Sequence, residues 1–154
     1  MLSEETKKKI HALRGRYRES KSALIPGLFV AQEELGHLPN EALVEIAQLL
    51  EISPVEVYEA VTFYTMFNLE PTGKYKLNVC TSLSCFLVGV EKILNYLEQK
   101  LGIEVNETTQ DGKFTLKEVE CLGSCGTAPM MQVNKDYYEN LTEKRIDEIL
   151  EGLP

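Results

Sequence analysis

No stretch of this sequence approaches the roughly 20 apolar residues that span a bilayer. Nor is there an excess of basic charge: 16 Lys and Arg stand against 24 Asp and Glu, a net charge of -8. The deficit is even, with 7 basic against 11 acidic residues in 1–71 and 9 against 13 in 72–154, so neither part offers the basic face that nucleic acid or anionic lipid requires. The opening MLSEETKKKI is acidic and then basic with no apolar stretch behind it, which does not read as a secretory signal. Glycine-rich phosphate loops of the G-x-G-x-x-G and G-x-x-x-x-G-K-[ST] types are missing as well, so nucleotide binding is not expected of this chain. These absences point to a protein of the cytoplasm or a matrix-like compartment, without membrane insertion and without a nucleic-acid partner.

What is present is a 154-residue chain, 44% hydrophobic, long enough for one domain or for a small helical piece and a small α/β piece. Residues 1–71 read as helices. Ser3 caps a segment that opens with Glu4 and Glu5 and runs through Ile10, Leu13 and Tyr17. Residues 22–35 place Leu24, Leu28, Ala31 and Leu35 on one stripe, with Gly36 as a stop. Leu43, Ile46, Ala47 and Leu50 give a third helix, and Ser53, Pro54 and Glu56 form a capping box that starts a fourth through Val57, Val61 and Tyr64. Among Phe63, Tyr64, Met66 and Phe67, core packing is favoured over a partner-facing patch.

After Pro71, Thr72 and Gly73 the pattern changes. Tyr75 to Cys80 alternates as a strand, Phe86 to Leu101 is helical up to Gly102, and Asp111 and Gly112 turn into a strand over Phe114 to Val119. A third strand covers Met130 to Val133. Asn140 with Glu143 starts a last helix carrying Ile146, Ile149, Leu150 and Leu153. The expected fold is α+β: an N-terminal helical bundle (1–71), then a β-α-β-β-α unit (72–154) compatible with a thioredoxin-like α/β domain with a mixed sheet.

All four cysteines fall in the second part. Cys80 and Cys85 bracket CTSLSC, a C-x4-C pair, and Cys121 and Cys125 bracket CLGSC, a C-x3-C pair. Each pair follows a predicted strand, so adjacent strands would bring four sulfurs to one sheet edge. In a reducing compartment such cysteines read as ligands or redox groups rather than disulfides. A zinc-stabilised adaptor is one reading, although zinc modules usually use C-x2-C knuckles. A dithiol oxidoreductase is another, although it normally needs C-x-x-C at a helix start. An iron–sulfur cluster asks for four thiolates on loops rich in amide and hydroxyl donors, which Thr81, Ser82, Ser84, Gly123, Ser124, Gly126 and Thr127 supply. These loops favour the cluster and leave the other two readings open. If the hydroxyls of Ser84 and Thr127 donate to sulfur, replacing either by Ala lowers the potential. His11 and His37 lie far from the cysteines in sequence and receive no role.

Four runs in order, SALIPGLFVAQEELGHLP, FYTMFNLEPTGKY, CTSLSCFLVGV and CLGSCGTAPMMQVNKDYYENLT, resemble the thioredoxin-like [2Fe-2S] ferredoxin family. This is the E-type ferredoxin of respiratory complex I (NADH:quinone oxidoreductase), found also in NAD-dependent hydrogenases and formate dehydrogenases. The resemblance spans about residues 20 to 145. It implies that Cys80, Cys85, Cys121 and Cys125 ligate one [2Fe-2S] cluster, and that the chain carries single electrons as a component of such an oxidoreductase, with no substrate chemistry of its own. It further implies a flavin- and NADH-binding partner subunit that holds FMN and NAD, further iron–sulfur subunits, and a position peripheral to the membrane in complex I. Pro129 sits where thioredoxin-like folds often carry a cis-proline, with trans as the default. Of Met130 and Met131, one is expected inward and the other toward the cluster or the partner.

Overall fold

The computed structural model describes all residues, Met1–Pro154, and divides into two compact units, Met1–Pro71 and Thr72–Pro154. No helix is long and apolar enough to cross a membrane.

In the first unit the caps written in the sequence set the helix boundaries. Ser3 accepts from the Thr6 N–H at 3.2 Å and opens α1 (Glu4–Arg14). Gly15 closes this helix earlier than the apolar spacing suggested, leaving Tyr17 outside it and 41% exposed. A 3-10 turn over Ser20–Ala23 leads into α2 (Leu24–Leu35), which ends at Gly36 with φ +79°, a conformation only glycine adopts cheaply. α3 spans Asn40–Leu50. α4 (Pro54–Phe63) begins with the capping box: Ser53 Oγ accepts from Val55 N–H at 3.3 Å, and the Glu56 carboxylate accepts from Ser53 N–H at 3.2 Å. Ile10, Leu28, Leu38, Ile46, Leu50 and Val57 are fully buried at the centre. Burying each such aliphatic side chain contributes roughly 1.5–3 kcal/mol. Phe67 joins this core, whereas Phe63, Tyr64 and Met66 stay exposed, so core packing holds for one of the four.

The second unit is a four-stranded mixed sheet in the order β2-β1-β3-β4. β1 (Tyr75–Cys80) and β2 (Phe114–Val119) are parallel, while β3 (Met131–Val133) runs antiparallel to β1 and to β4 (Asp136–Tyr138). Leu77, Val79, Leu116, Met131 and Val133 are buried among Leu97 and Ile146 from α6 (Val90–Leu101) and α7 (Glu143–Gly152). β4 is absent from the sequence expectation. It follows β3 through Asn134, at φ +54°, in a hairpin that pairs Val133 with Asp136. The helix expected over Phe86–Leu101 is two helices, α5 (Leu83–Leu87) and α6, because Gly89 at φ +87° breaks the run. The last helix starts at Glu143 with Thr142 as its cap, accepting from the Arg145 N–H at 3.2 Å; Asn140, at φ +51°, lies before it.

Candidate functional site

Two parallel neighbours put their C-terminal ends at the same sheet edge. Cys80, the last residue of β1, is the Cα partner of Val119, the last residue of β2, so the loops that follow them leave side by side. Thr81 joins the loops directly, donating its N–H at 3.0 Å and its hydroxyl at 3.2 Å to the Val119 carbonyl. On the other side the Cys80 N–H donates to the Met130 carbonyl at 3.2 Å.

This framework brings all four cysteines to one cleft, lined also by Ser82, Ser84, Ser124 and Met130. The pairs differ in setting. Cys80 and Cys85 are buried, while Cys121 and Cys125 are exposed. Burial pushes the Cys85 thiol above the usual cysteine range, and a hydrogen bond with Cys80 adds to this. Cys125 acts on Cys85 in the same direction through its charge. The Cys121 sulfur accepts from the Gly123 N–H at 3.3 Å, and Gly123 is held at φ +81°. Soft thiolate donors, two of them shielded from water, with a backbone N–H aimed at sulfur, make a donor set suited to an iron–sulfur cluster.

The structure decides several expectations. Met131 is buried inward in the ladder, and Met130, also fully buried, lines the cleft with the four cysteines, so one methionine points into the core and the other toward the site as expected. The Ala128–Pro129 peptide, which the sequence leaves open, is cis. Thr127 does not aim its hydroxyl at the cysteines: it donates to the Glu139 carboxylate at 2.7 Å, with the Ser124 carbonyl at 3.2 Å as a second acceptor. Ser84 does line the cleft. His11 and His37 belong to the Met1–Pro71 unit, and neither is among the residues that line the cleft.

The sequence reading also missed what holds the second cysteine loop. Ser124 donates to the same Glu139 carboxylate, and the Tyr137 hydroxyl donates to the Leu122 carbonyl at 2.8 Å. Both anchors lie on or just after β4, the strand with no clear sequence signal. Beside the first loop, α5 buries Cys85 and turns Leu83, Phe86 and Leu87 outward, with Val88 exposed directly after it.

Comparison with known proteins agrees with this architecture. The chain is 50% identical over 146 residues to an E-type subunit (E 2) of NADH-quinone oxidoreductase from Rhizobium meliloti (strain 1021), covering 95% of this chain and 87% of that one. It is 47% identical over 132 residues to the E-type subunit of NADH-quinone oxidoreductase from Rickettsia felis, covering 85% and 79%. Among solved structures, a chain of an NAD+-reducing [NiFe]-hydrogenase in the H2-reduced state superposes with a TM-score of 0.69 at 25% identity. That match covers 83% of this chain and only 22% of the hydrogenase chain. The family model for thioredoxin-like [2Fe-2S] ferredoxins matches residues 10–154, and the chain belongs to that family.

Proposed function

We propose that Cys80, Cys85, Cys121 and Cys125 are the ligands of one [2Fe-2S] cluster, and that the chain is the one-electron carrier subunit of a multisubunit NAD(H)-linked oxidoreductase. The supporting observation is the meeting of four thiols in one cleft at the ends of two adjacent parallel strands. The E-type relatives from NADH-quinone oxidoreductase, and the hydrogenase chain of similar fold, support the same reading. The cluster supplies a centre that takes and gives one electron at a time. Around it, the chain's residues set the conditions: Cys80 and Cys85 exclude water from one side, and Met130 closes the floor. The exposed pair, Cys121 and Cys125, marks the side open to electron exchange.

In this reading residues 72–154 form the thioredoxin-like ferredoxin domain and residues 1–71 serve docking. A flavin- and NADH-binding subunit carries FMN and NAD, and further iron–sulfur subunits pass electrons on. The chain works on the cytoplasmic or matrix-like side, peripheral to the membrane where the enzyme is complex I. Anaerobic purification followed by iron, zinc and acid-labile sulfide analysis tests the assignment. Iron and sulfide at about two of each per chain, with visible absorption and an EPR signal on reduction, are expected. A colourless chain with one zinc would establish the adaptor instead, and a metal-free chain with thiol–disulfide exchange activity the dithiol oxidoreductase.

A further inference from the structure

The segment after β3 grips the second cysteine loop at several points. The Tyr137 hydroxyl donates to the Leu122 carbonyl at 2.8 Å, Asn140 N–H to the Thr127 carbonyl at 2.8 Å, and Leu141 N–H to the Pro129 carbonyl at 2.9 Å. Between these, Glu139 is the one acidic side chain involved. Its Oε1 accepts from the hydroxyls of both Ser124 and Thr127, whose oxygens lie 2.8 Å apart. A hydroxyl has a single proton to give. With both protons directed to Glu139, neither hydroxyl donates to a cysteine sulfur, although Ser124 lines the cleft. The two hydrogen bonds hold the Glu139 carboxyl below the usual glutamate range. None of the ion pairs in the chain includes it.

We propose that Glu139 is a positioning residue for the second cysteine pair: by taking both hydroxyl protons it fixes the loop that presents Cys121 and Cys125, and its negative charge lowers the reduction potential of the cluster they hold. The inference rests on the assignment of those cysteines as ligands. Groups outside the ligand set commonly change metal affinity about 10–100-fold, by orienting the ligands and tuning the local field. A fixed negative charge beside a centre that gains an electron disfavours the reduced form.

The test compares the full chain with E139Q, E139A, the S124A/T127V double variant, and E104Q as a distant carboxylate control. E139Q keeps an acceptor oxygen and loses the charge. Its midpoint potential is expected to rise, while iron release to a chelator stays near the wild-type rate. E139A loses both: its potential rises too, and iron release accelerates about tenfold or more. In the metal-free chain, amide hydrogen exchange across residues 121–129 is expected to quicken in E139A and in the double variant, with residues 75–80 unchanged. Wild-type exchange across 121–129 in E139A, or in the double variant where E139A does not fold, would overturn the positioning role. An E139Q potential equal to that of E104Q and wild type would overturn the electrostatic one. A wild-type chain that purifies without iron and sulfide refutes the ligand assignment instead, and with it the influence on potential; the exchange measurement then still decides whether Glu139 anchors the loop.

Discussion

Thr81 donates twice to the carbonyl of Val119, through its N–H at 3.0 Å and its hydroxyl at 3.2 Å. The β1–β2 ladder ends at Cys80 and Val119, so this contact carries the register one residue past the sheet and into both cysteine loops. Thr81→Val keeps the N–H and the shape and removes only the hydroxyl bond. The expected loss is about 0.5–1.5 kcal/mol, the net worth of a typical intramolecular hydrogen bond. Urea unfolding of the two proteins checks it, and an unchanged midpoint would show that the N–H alone carries the contact.

Gly73 stands where the chain enters β1, and its N–H donates to Thr115 Oγ1 at 2.6 Å. A Cβ at this position would meet the backbone N and C of Phe114 at 2.9 Å. Backbone in a parallel ladder has no rotamer with which to move aside, so Gly73→Ala must displace β1 against β2. The expected destabilisation is about 1–3 kcal/mol, in the range of overpacked interiors. A lower urea midpoint at unchanged m-value is the signature, since the surface exposed on unfolding stays the same.

Legibility followed local chemistry. Ser3, Gly36, Gly102 and the Ser53–Glu56 box were readable because a cap is decided by one or two side chains near their own backbone. The helix break at Gly89 was not, since a lone glycine inside a helical pattern leaves the apolar period intact. β4 escaped for another reason: its three residues are partly or largely exposed, and its partner is a short strand just before a turn at Asn134. The four cysteines stand out by spacing, but the hydrogen bonds that hold their second loop come from Tyr137 and Glu139, on and beside the strand that was missed. Met130 and Met131 are both buried because the ladder begins only at Met131, so strand alternation does not extend back to Met130.

Asp147 on α7 faces Lys100 and Tyr96 of α6. It accepts from the Tyr96 hydroxyl at 2.7 Å and pairs with Lys100 Nζ at 2.9 Å. These contacts, the lysine first, hold its carboxyl below the ordinary aspartate range. A group whose pKa is depressed by folding stabilises the fold above its unfolded value, and that contribution disappears as pH falls through the folded value. Asp147→Asn is therefore expected to be less stable than wild type near neutrality, with the gap closing as pH drops below the ordinary aspartate range. The pair is exposed to solvent, so added salt narrows the gap as well. Urea midpoints of both proteins across acidic pH, at low and high salt, check this; a constant gap would refute it.

Ser84 separates the two proposed roles of loop hydroxyls. It lines the cleft with the four cysteines, whereas Thr127 gives its proton to Glu139. A hydroxyl donating to a cluster sulfur stabilises the reduced, more negative form, so its loss lowers the potential. Ser84→Ala is expected to shift the midpoint potential downward with cluster content unchanged. Thr127→Val releases one of the two bonds on Glu139 and removes no donor to sulfur, so a downward shift is not expected of it. Redox titration followed by EPR measures both. A Ser84→Ala potential equal to wild type would remove Ser84 as a donor, and a Thr127→Val potential that falls with it would mean that the Thr127 hydroxyl turns to the cluster after all.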